Sequence, residues 1–308
     1  MRLRTALNDY KRDRSASRRY PGERRTVRGA FSGYGDRLVH VDPEGGIRDF
    51  SSSLSGLYGV DRSRLGIRTG TRTHWFDDLD TIRQHYYRDT NLVETEYDVG
   101  EFTVHQYDLT LGRAHVTHVE LRGEVPARAH LVAFLTLAPE GRDTRVGRLI
   151  HESGGPDGSE AVEVFHRHEH DYVTASTGLD RVEGQVPERF EELLGEAPVE
   201  FPRDATVDRY EDAHLSGDVL VTAPLERAGR AARTTLVSQL SDHGEIDRPT
   251  ALADLRDCAG SYRTADDLRR AAREWTDVDV PAETPRSGLV EATGFPIARI
   301  GAKLAVGY

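Results

Sequence analysis

Between about Val27 and Leu240 the chain is a succession of short segments. Each is alternating or unbroken in apolar character, and each closes on Gly, Pro, Asp or Asn. Nothing in the sequence constrains the fold more. Strand side chains alternate faces with period two, and more than a dozen such segments before any long helical pattern predict an all-β sandwich or barrel of unusual size. "RLVHVD" alternates, and "DPEGG" behind it is turn chemistry, with Pro43 presetting φ while Gly45 and Gly46 permit positive φ. "GGIRDF" then resumes the extended pattern. "LGIRTGTRTHWF" reads as two strands joined through Gly70, and "NLVETEYDVGEFTVHQYDLTL" as a long hairpin turning at Asp98, Val99 and Gly100. "AHVTHVELRG" alternates with one register break, Val116, Val119 and Leu121 opposing Thr117, His118 and Glu120. "HLVAFLTLAP" is nearly all apolar, as a strand buried on both faces would be.

The period changes at "VPERFEELLGE", where Val186, Phe190, Leu193 and Leu194 form a helical stripe. "GDVLVTAPL" and "RTTLVSQLSD" return to strands. Two helices follow: "RPTALADLRDCA", with Pro249 near its start, and "TADDLRRAAREWTD", with Thr264 as N-cap and Asp267 three residues on. No fixed-period repeat points to a propeller or solenoid. The expected organisation is a basic arm over 1–26, a super-β-sandwich over 27–245, and a linker of two helices with a short tail over 246–308. The fold class is therefore mainly β, a large antiparallel sandwich followed by two C-terminal helices.

Charge narrows the partners. Fifty-two acidic residues face 41 basic ones, a net charge of −11, and only Lys11 and Lys303 are lysine. Such a surface is adapted to high salt, where screening relieves its self-repulsion, and it argues against nucleic acid as the main partner. Residues 1–28 run the other way, with ten basic and three acidic residues. They read as a solvated, frayed arm because no aromatics interleave the charge. No apolar run approaches the ~18 residues of a membrane span, and the opening residues contain no apolar core of a secretion signal. One cysteine, Cys258, leaves no internal disulfide or cysteine zinc site. A cytoplasmic location without membrane contact is the expectation.

Motifs carrying chemistry are few. "FHRHEHDYV" sets His166, His168 and His170 at alternate positions, so on a continuous strand they would share one face. The first and third would then lie ~13 Å apart at ~3.3 Å per residue, too far to hold one ion without a sharp bend. The stretch is expected to be a solvent-facing polar stripe, with no metal site and no cofactor. No G-x-S-x-G, P-loop or H-E-x-x-H occurs, and paired carboxylates are too common in so acidic a chain to mark a catalytic dyad. No catalytic residue is assigned. "WFDDLD" sets Trp75 and Phe76 beside Asp77 and Asp78, readable as an aromatic sugar contact or as strand-end packing before an acidic turn. Trp75, Tyr86, Tyr107 and Trp275 are the candidate carbohydrate or partner contacts, with Tyr87 beside them.

"RLVHVDPEGGIRDFSSSLSGLYGVDRSRLGI" and "TEYDVGEFTVHQYDLTLGRAHVTHVELRG" resemble the N-terminal sandwich of glucoamylase-type proteins of glycoside hydrolase family 15, especially halophilic archaeal ones. The resemblance covers roughly residues 1–260. It implies a super-sandwich, a helical linker and then a barrel of six helical pairs, in which two glutamates hydrolyse α-glucosidic bonds with inversion. Twelve helices with their connections need roughly 190 residues, whereas 68 follow Leu240. No catalytic glutamate carries over. The resemblance thus implies a non-catalytic glucan 1,4-α-glucosidase-type sandwich that buttresses a helical-barrel glycosidase domain, supplied by another chain or lost. The alternatives are a free-standing module binding α-glucan and a sugar-modifying enzyme working through the sandwich itself. The last would draw on His105, His115, His118, His166, His168 and His170.

Overall fold

The computed structural model describes residues 29–35, 37–52, 57, 59–139, 148–152, 161–166, 168–184, 194 and 217–276; of 148–152, 184, 275 and 276 it gives the backbone alone. The basic arm, the tail beyond 276 and the expected helix over 186–194, Leu194 excepted, lie outside the described residues.

The strands are β1 (Ala30–Tyr34), β2 (Arg37–Val41), β3 (Ile47–Ser52), β4 (Val60–Thr69), β5 (Arg72–Trp75), β6 (Asp80–Tyr86), β7 (Val93–Asp98), β8 (Phe102–Leu111), β9 (Ala114–Gly123) and β10 (His130–Leu137). After them come β11 (Arg148–Glu152), β12 (Ala161–His166), β13 (Glu169–Ala175), β14 (Arg181–Gly184), β15 (Asp218–Pro224), β16 (Glu226–Ala228) and β17 (Ala231–Asp242). Two helices close the chain, α1 (Arg248–Ser261) and α2 (Ala265–Thr276). The first sheet runs β1-β2-β3-β4-β10-β15-β14, with β5 paired to β4. The second runs β11-β12-β13-β17-β9-β8-β7-β6, with β16 paired to β17. Every pairing among the described residues is antiparallel. The expected fold class is the one observed.

Alternation decides which residues meet between the sheets. Ile67, Leu131, Leu135 and Val221 from the first sheet meet Val104, Val119, Val164, Val173 and Leu236 from the second in one apolar cluster. β10 and β17 are central strands and are buried on both faces. The outer face of the second sheet is covered as well. Tyr107, Leu109, Val116, Tyr172 and Val237 pack there against Leu252 and Leu255 of α1 and Leu268 of α2. The molecule is therefore layered sheet, sheet, helices.

Local signals set the helix starts. Asp247 caps α1 by accepting from Thr250 N at 2.9 Å, with Pro249 in the first turn. Thr264 Oγ1 accepts from Asp267 N at 3.1 Å, while its hydroxyl donates to Asp267 Oδ2 at 2.6 Å, a reciprocal capping pair.

Three local expectations need correction. "FHRHEHDYV" is not one strand. It is the turn of the β12–β13 hairpin, with His166 opposite Glu169 and Phe165 opposite His170. His168 is exposed on the turn, while His166 and His170 are buried. In β9 there is no register break: His115, Thr117, Val119 and Leu121 pair in unbroken register with β8. The polar His115 and Thr117 stand on the inner face because Asp108 waits for them there. At the β2–β3 turn only Gly45, of the two glycines, takes positive φ, at 75°; Asp42 Oδ1 holds Gly46 N at 2.7 Å.

Candidate functional site

The densest polar constellation lies on the helix-covered face of the second sheet. The β12–β13 register sets Glu163 opposite Tyr172 and Phe165 opposite His170, so Glu163 and His170 are diagonal neighbours on that face. The turn after β17 delivers His243, whose backbone N donates to His168 O at 2.7 Å. Arg248, the first residue of α1, arrives from the helix layer.

Glu163 is 1% exposed and His170 9%, yet every carboxylate oxygen has a partner. His170 Nδ1 lies 2.5 Å from Glu163 Oε1, and the Tyr172 hydroxyl donates to the same oxygen at 3.2 Å. Arg248 Nε donates to Oε2 at 2.7 Å. Burial works to raise the Glu163 carboxyl, but the His170 hydrogen bond and the Arg248 guanidinium outweigh it and hold the group below the usual carboxylate range. His243 Nε2 lies 2.8 Å from the Tyr172 hydroxyl, and its ring stacks on that of His170 with centroids 3.3 Å apart and planes 10° from parallel. Burial first, then the charge at His170, push the His243 pKa down to about 4, so its imidazole is a neutral base at pH 7. Glu163, His170 and His243 each offer a ligand atom, all within 4.8 Å of one another.

Two further buried carboxylates, Asp108 and Asp171, are enclosed within the sandwich. Asp108, completely buried, accepts from Thr117 Oγ1 and Gln106 Nε2, each at 2.8 Å. Asp171, also on the inner face, has no hydrogen-bond partner on either oxygen. Burial, reinforced by the nearby charge of Glu169, raises its pKa well above the usual carboxyl range.

The candidate aromatics are dispersed. Trp75 is 7% exposed on the outer face of the first sheet, packed with Val132, Phe134, Leu194 and Leu220. The Arg64 guanidinium covers its ring at 4.6 Å and binds Asp77 at 2.9 Å and Asp78 at 3.2 Å. "WFDDLD" is thus a packed strand end followed by an ion-paired acidic turn. Tyr86 is half-buried on β6, its hydroxyl accepting from Phe31 N at 2.8 Å. Tyr107 is 2% exposed beneath α2. Arg269 lies between the Tyr87 and Tyr107 rings, 5.3 Å from each centroid, and binds Glu94 at 2.9 Å. Trp275 falls in the last turn of α2, and its side chain is outside the described residues. Trp75 and Tyr107 thus lie in separate packing clusters on opposite outer faces of the sandwich.

Glu163, Tyr172, His243 and Arg248 escaped the sequence reading because the fold gathers them from separated positions. One signal was present: a glutamate inside the otherwise apolar strand "AVEVF" demands a buried partner.

The fold is shared with a known structure. A bacterial glucoamylase complexed with acarbose matches with a TM-score of 0.59 at 9% identity, over 84% of this chain and 38% of that one. A putative kojibiose phosphorylase from human microbiome gives 0.47 at 10% identity over 80% and 35%. A family GH92 α-mannosidase from Bacteroides thetaiotaomicron gives 0.45 at 11% identity over 84% and 36%. The chain spans less than half the length of each of these structures. No curated protein matches the sequence. No helix among the described residues is long and apolar enough to cross a membrane. The model of the family described as Domain of unknown function (DUF7997) matches residues 1–251, and the chain belongs to that family.

Proposed function

We propose that the chain is a glucoamylase-type supporting sandwich, a non-catalytic body that packs against a helical-barrel glycosidase domain carried on another polypeptide. The observation that carries this reading is the pairing of coverages with the glucoamylase: most of this chain, 84%, aligns with only 38% of that enzyme. The buried polar groups fit a supporting role. Glu163 is tied to α1 by Arg248, and Asp108 and Asp171 are shut between the sheets, where no glycan reaches them. Among the described residues the only exposed large hydrophobic is Ile82, at 52%. A broad apolar docking patch is therefore not part of the described surface. The contact with a barrel would be polar, as interfaces between domains commonly are.

The test has two arms, both in molar salt because the net charge is −11. The purified chain incubated with maltoheptaose should release no glucose; release that scales with chain concentration would overturn the reading. Sedimentation velocity of the chain mixed with a helical-barrel protein encoded beside it should show a one-to-one complex. Independent sedimentation of the two would equally overturn it.

A further inference from the structure

We propose that Glu163, His170 and His243 form a binding site for a divalent transition-metal ion, zinc being the best fit, which clasps the linker helices to the second sheet. The site is independent of the supporting role.

Three observations converge, and the ring contact between the two histidines sets a condition on them. The three residues come from three separate elements, β12, β13 and the turn before α1, yet their donor atoms lie within 4.8 Å of one another. Two imidazoles and one carboxylate are a donor set that suits zinc and its borderline neighbours rather than magnesium or calcium. The His170 and His243 rings lie face to face with centroids 3.3 Å apart. An imidazole lone pair lies in its ring plane, so rings only 10° from parallel do not aim their nitrogens at one point, and His243 must turn for both to reach one ion. The surrounding groups are also those a metal site needs. Arg248 Nε fixes Glu163 Oε2 at 2.7 Å, leaving Oε1 as the ligand oxygen, and the Tyr172 hydroxyl lies 2.8 Å from His243 Nε2 and orients its ring. Partners of this kind set the direction and basicity of metal ligands.

Two side-chain movements are required, the turn of the His243 ring and the parting of Glu163 from His170. His170 Nδ1 and Glu163 Oε1 lie 2.5 Å apart, while two tetrahedral ligands at about 2.1 Å from zinc stand roughly 3.4 Å apart. The ion takes the place of the hydrogen bond between them, and the two side chains part by about an ångström. Half-buried His243 is the ligand nearest solvent and the side from which the ion enters. Binding then joins β12, β13 and the β17–α1 turn through one centre.

The experiment uses the full chain freed of metal by chelation. Zinc titration by calorimetry should show one site per chain, and cobalt(II) should give the intense visible absorption of a tetrahedral centre. His243→Ala and Glu163→Gln should each weaken zinc by roughly tenfold or more, the scale on which lost support costs metal sites. His85→Ala, on the far edge strand β6, should leave binding unchanged. Zinc should raise the thermal midpoint of the parent, and that shift should vanish in His243→Ala, a near-surface change that leaves the Glu163–Arg248 pair in place. No stoichiometric zinc site, or equal affinity in parent, His243→Ala and Glu163→Gln, would overturn the proposal.

Discussion

His115 Nε2 lies 3.3 Å from Asp108 Oδ1 in the wall between the two sheets, and both side chains are fully shielded from water. Asp108 is the hub of that wall. It also accepts from Thr117 Oγ1 and from Gln106 Nε2, which in turn reaches Gly45 O at 2.7 Å, so the network ties β8 and β9 to the β2–β3 turn of the opposite sheet. Asp108→Ala takes the acceptor from Thr117 Oγ1 and leaves Gln106 Nε2 with Gly45 O alone. Removing one partner from a buried charged network costs about 3–5 kcal/mol, and urea unfolding of the variant should show a loss of that order. A variant with the parent's midpoint and slope would mean the network contributes little.

Asp171 presents the opposite case, a carboxyl enclosed without partners. Its pKa is raised by burial and by Glu169, so the folded chain keeps a proton that the unfolded chain releases above about pH 4. The folded state binds more protons there, and its stability falls as pH rises through the window up to the raised folded pKa. Asp171→Val, close in volume and facing Leu240 across the β13–β17 pairing, should stabilise the chain at pH 7 by about 1–3 kcal/mol and flatten that decline. A loss of stability at pH 7 would show that the carboxyl has a role the apolar residue cannot fill.

The architecture was legible because alternation and turn chemistry act locally. Gly45, Gly70 and Gly100 all take positive φ at turns the sequence marks, and Asp247 and Thr264 start helices by side-chain hydrogen bonds written within four residues. The hairpin at His168 was missed because charged residues alternate through "FHRHEHDYV" as they would along a strand, and no glycine or asparagine signals the turn. His115 and Thr117 broke the expected pattern because an inner-face polar residue is indistinguishable from an outer-face one until its partner, Asp108, is placed. The Glu163 cluster depends on the same kind of long-range placement: Arg248 is 85 residues from the carboxylate it binds.

His118 lies under the helices, its side chain shielded from solvent. The Thr235 hydroxyl donates to Tyr262 O at 2.6 Å, so Thr235 Oγ1, 2.8 Å from His118 Nδ1, receives the imidazole proton, and Nε2 is left a buried acceptor without a partner. Burial chiefly pushes the His118 pKa down to about 4. A histidine depressed in the folded state contributes stability that is fully present above its unfolded value of about 6.5 and is lost as pH falls from there toward about 4. The loss should reach about 2–3 kcal/mol at the acid end. Thermal midpoints between pH 7.5 and 4 should decline less in His118→Leu than in the parent; parallel curves would place the acid sensitivity elsewhere.

Gly45 joins turn geometry to the interior network, and a pair of substitutions separates the two. Its φ is 75°, and a Cβ placed there would lie 1.7 Å from the Tyr97 hydroxyl and 2.5 Å from Gln106 Oε1, the two atoms that hydrogen-bond to each other at 3.0 Å. Gly70 has a similar φ, 59°, but an added Cβ would meet nothing within 4 Å. Gly70→Ala should therefore cost only the left-handed backbone penalty, about 1–2 kcal/mol. Gly45→Ala bears the same penalty and must also displace the buried Tyr97 hydroxyl from Gln106, adding roughly 1–3 kcal/mol for a buried polar group left unpaired. The two glycines thus share the backbone strain, and the difference between their unfolding free energies measures the contact of the turn with the network. Equal costs would show that the turn can shift away from Tyr97 without loss.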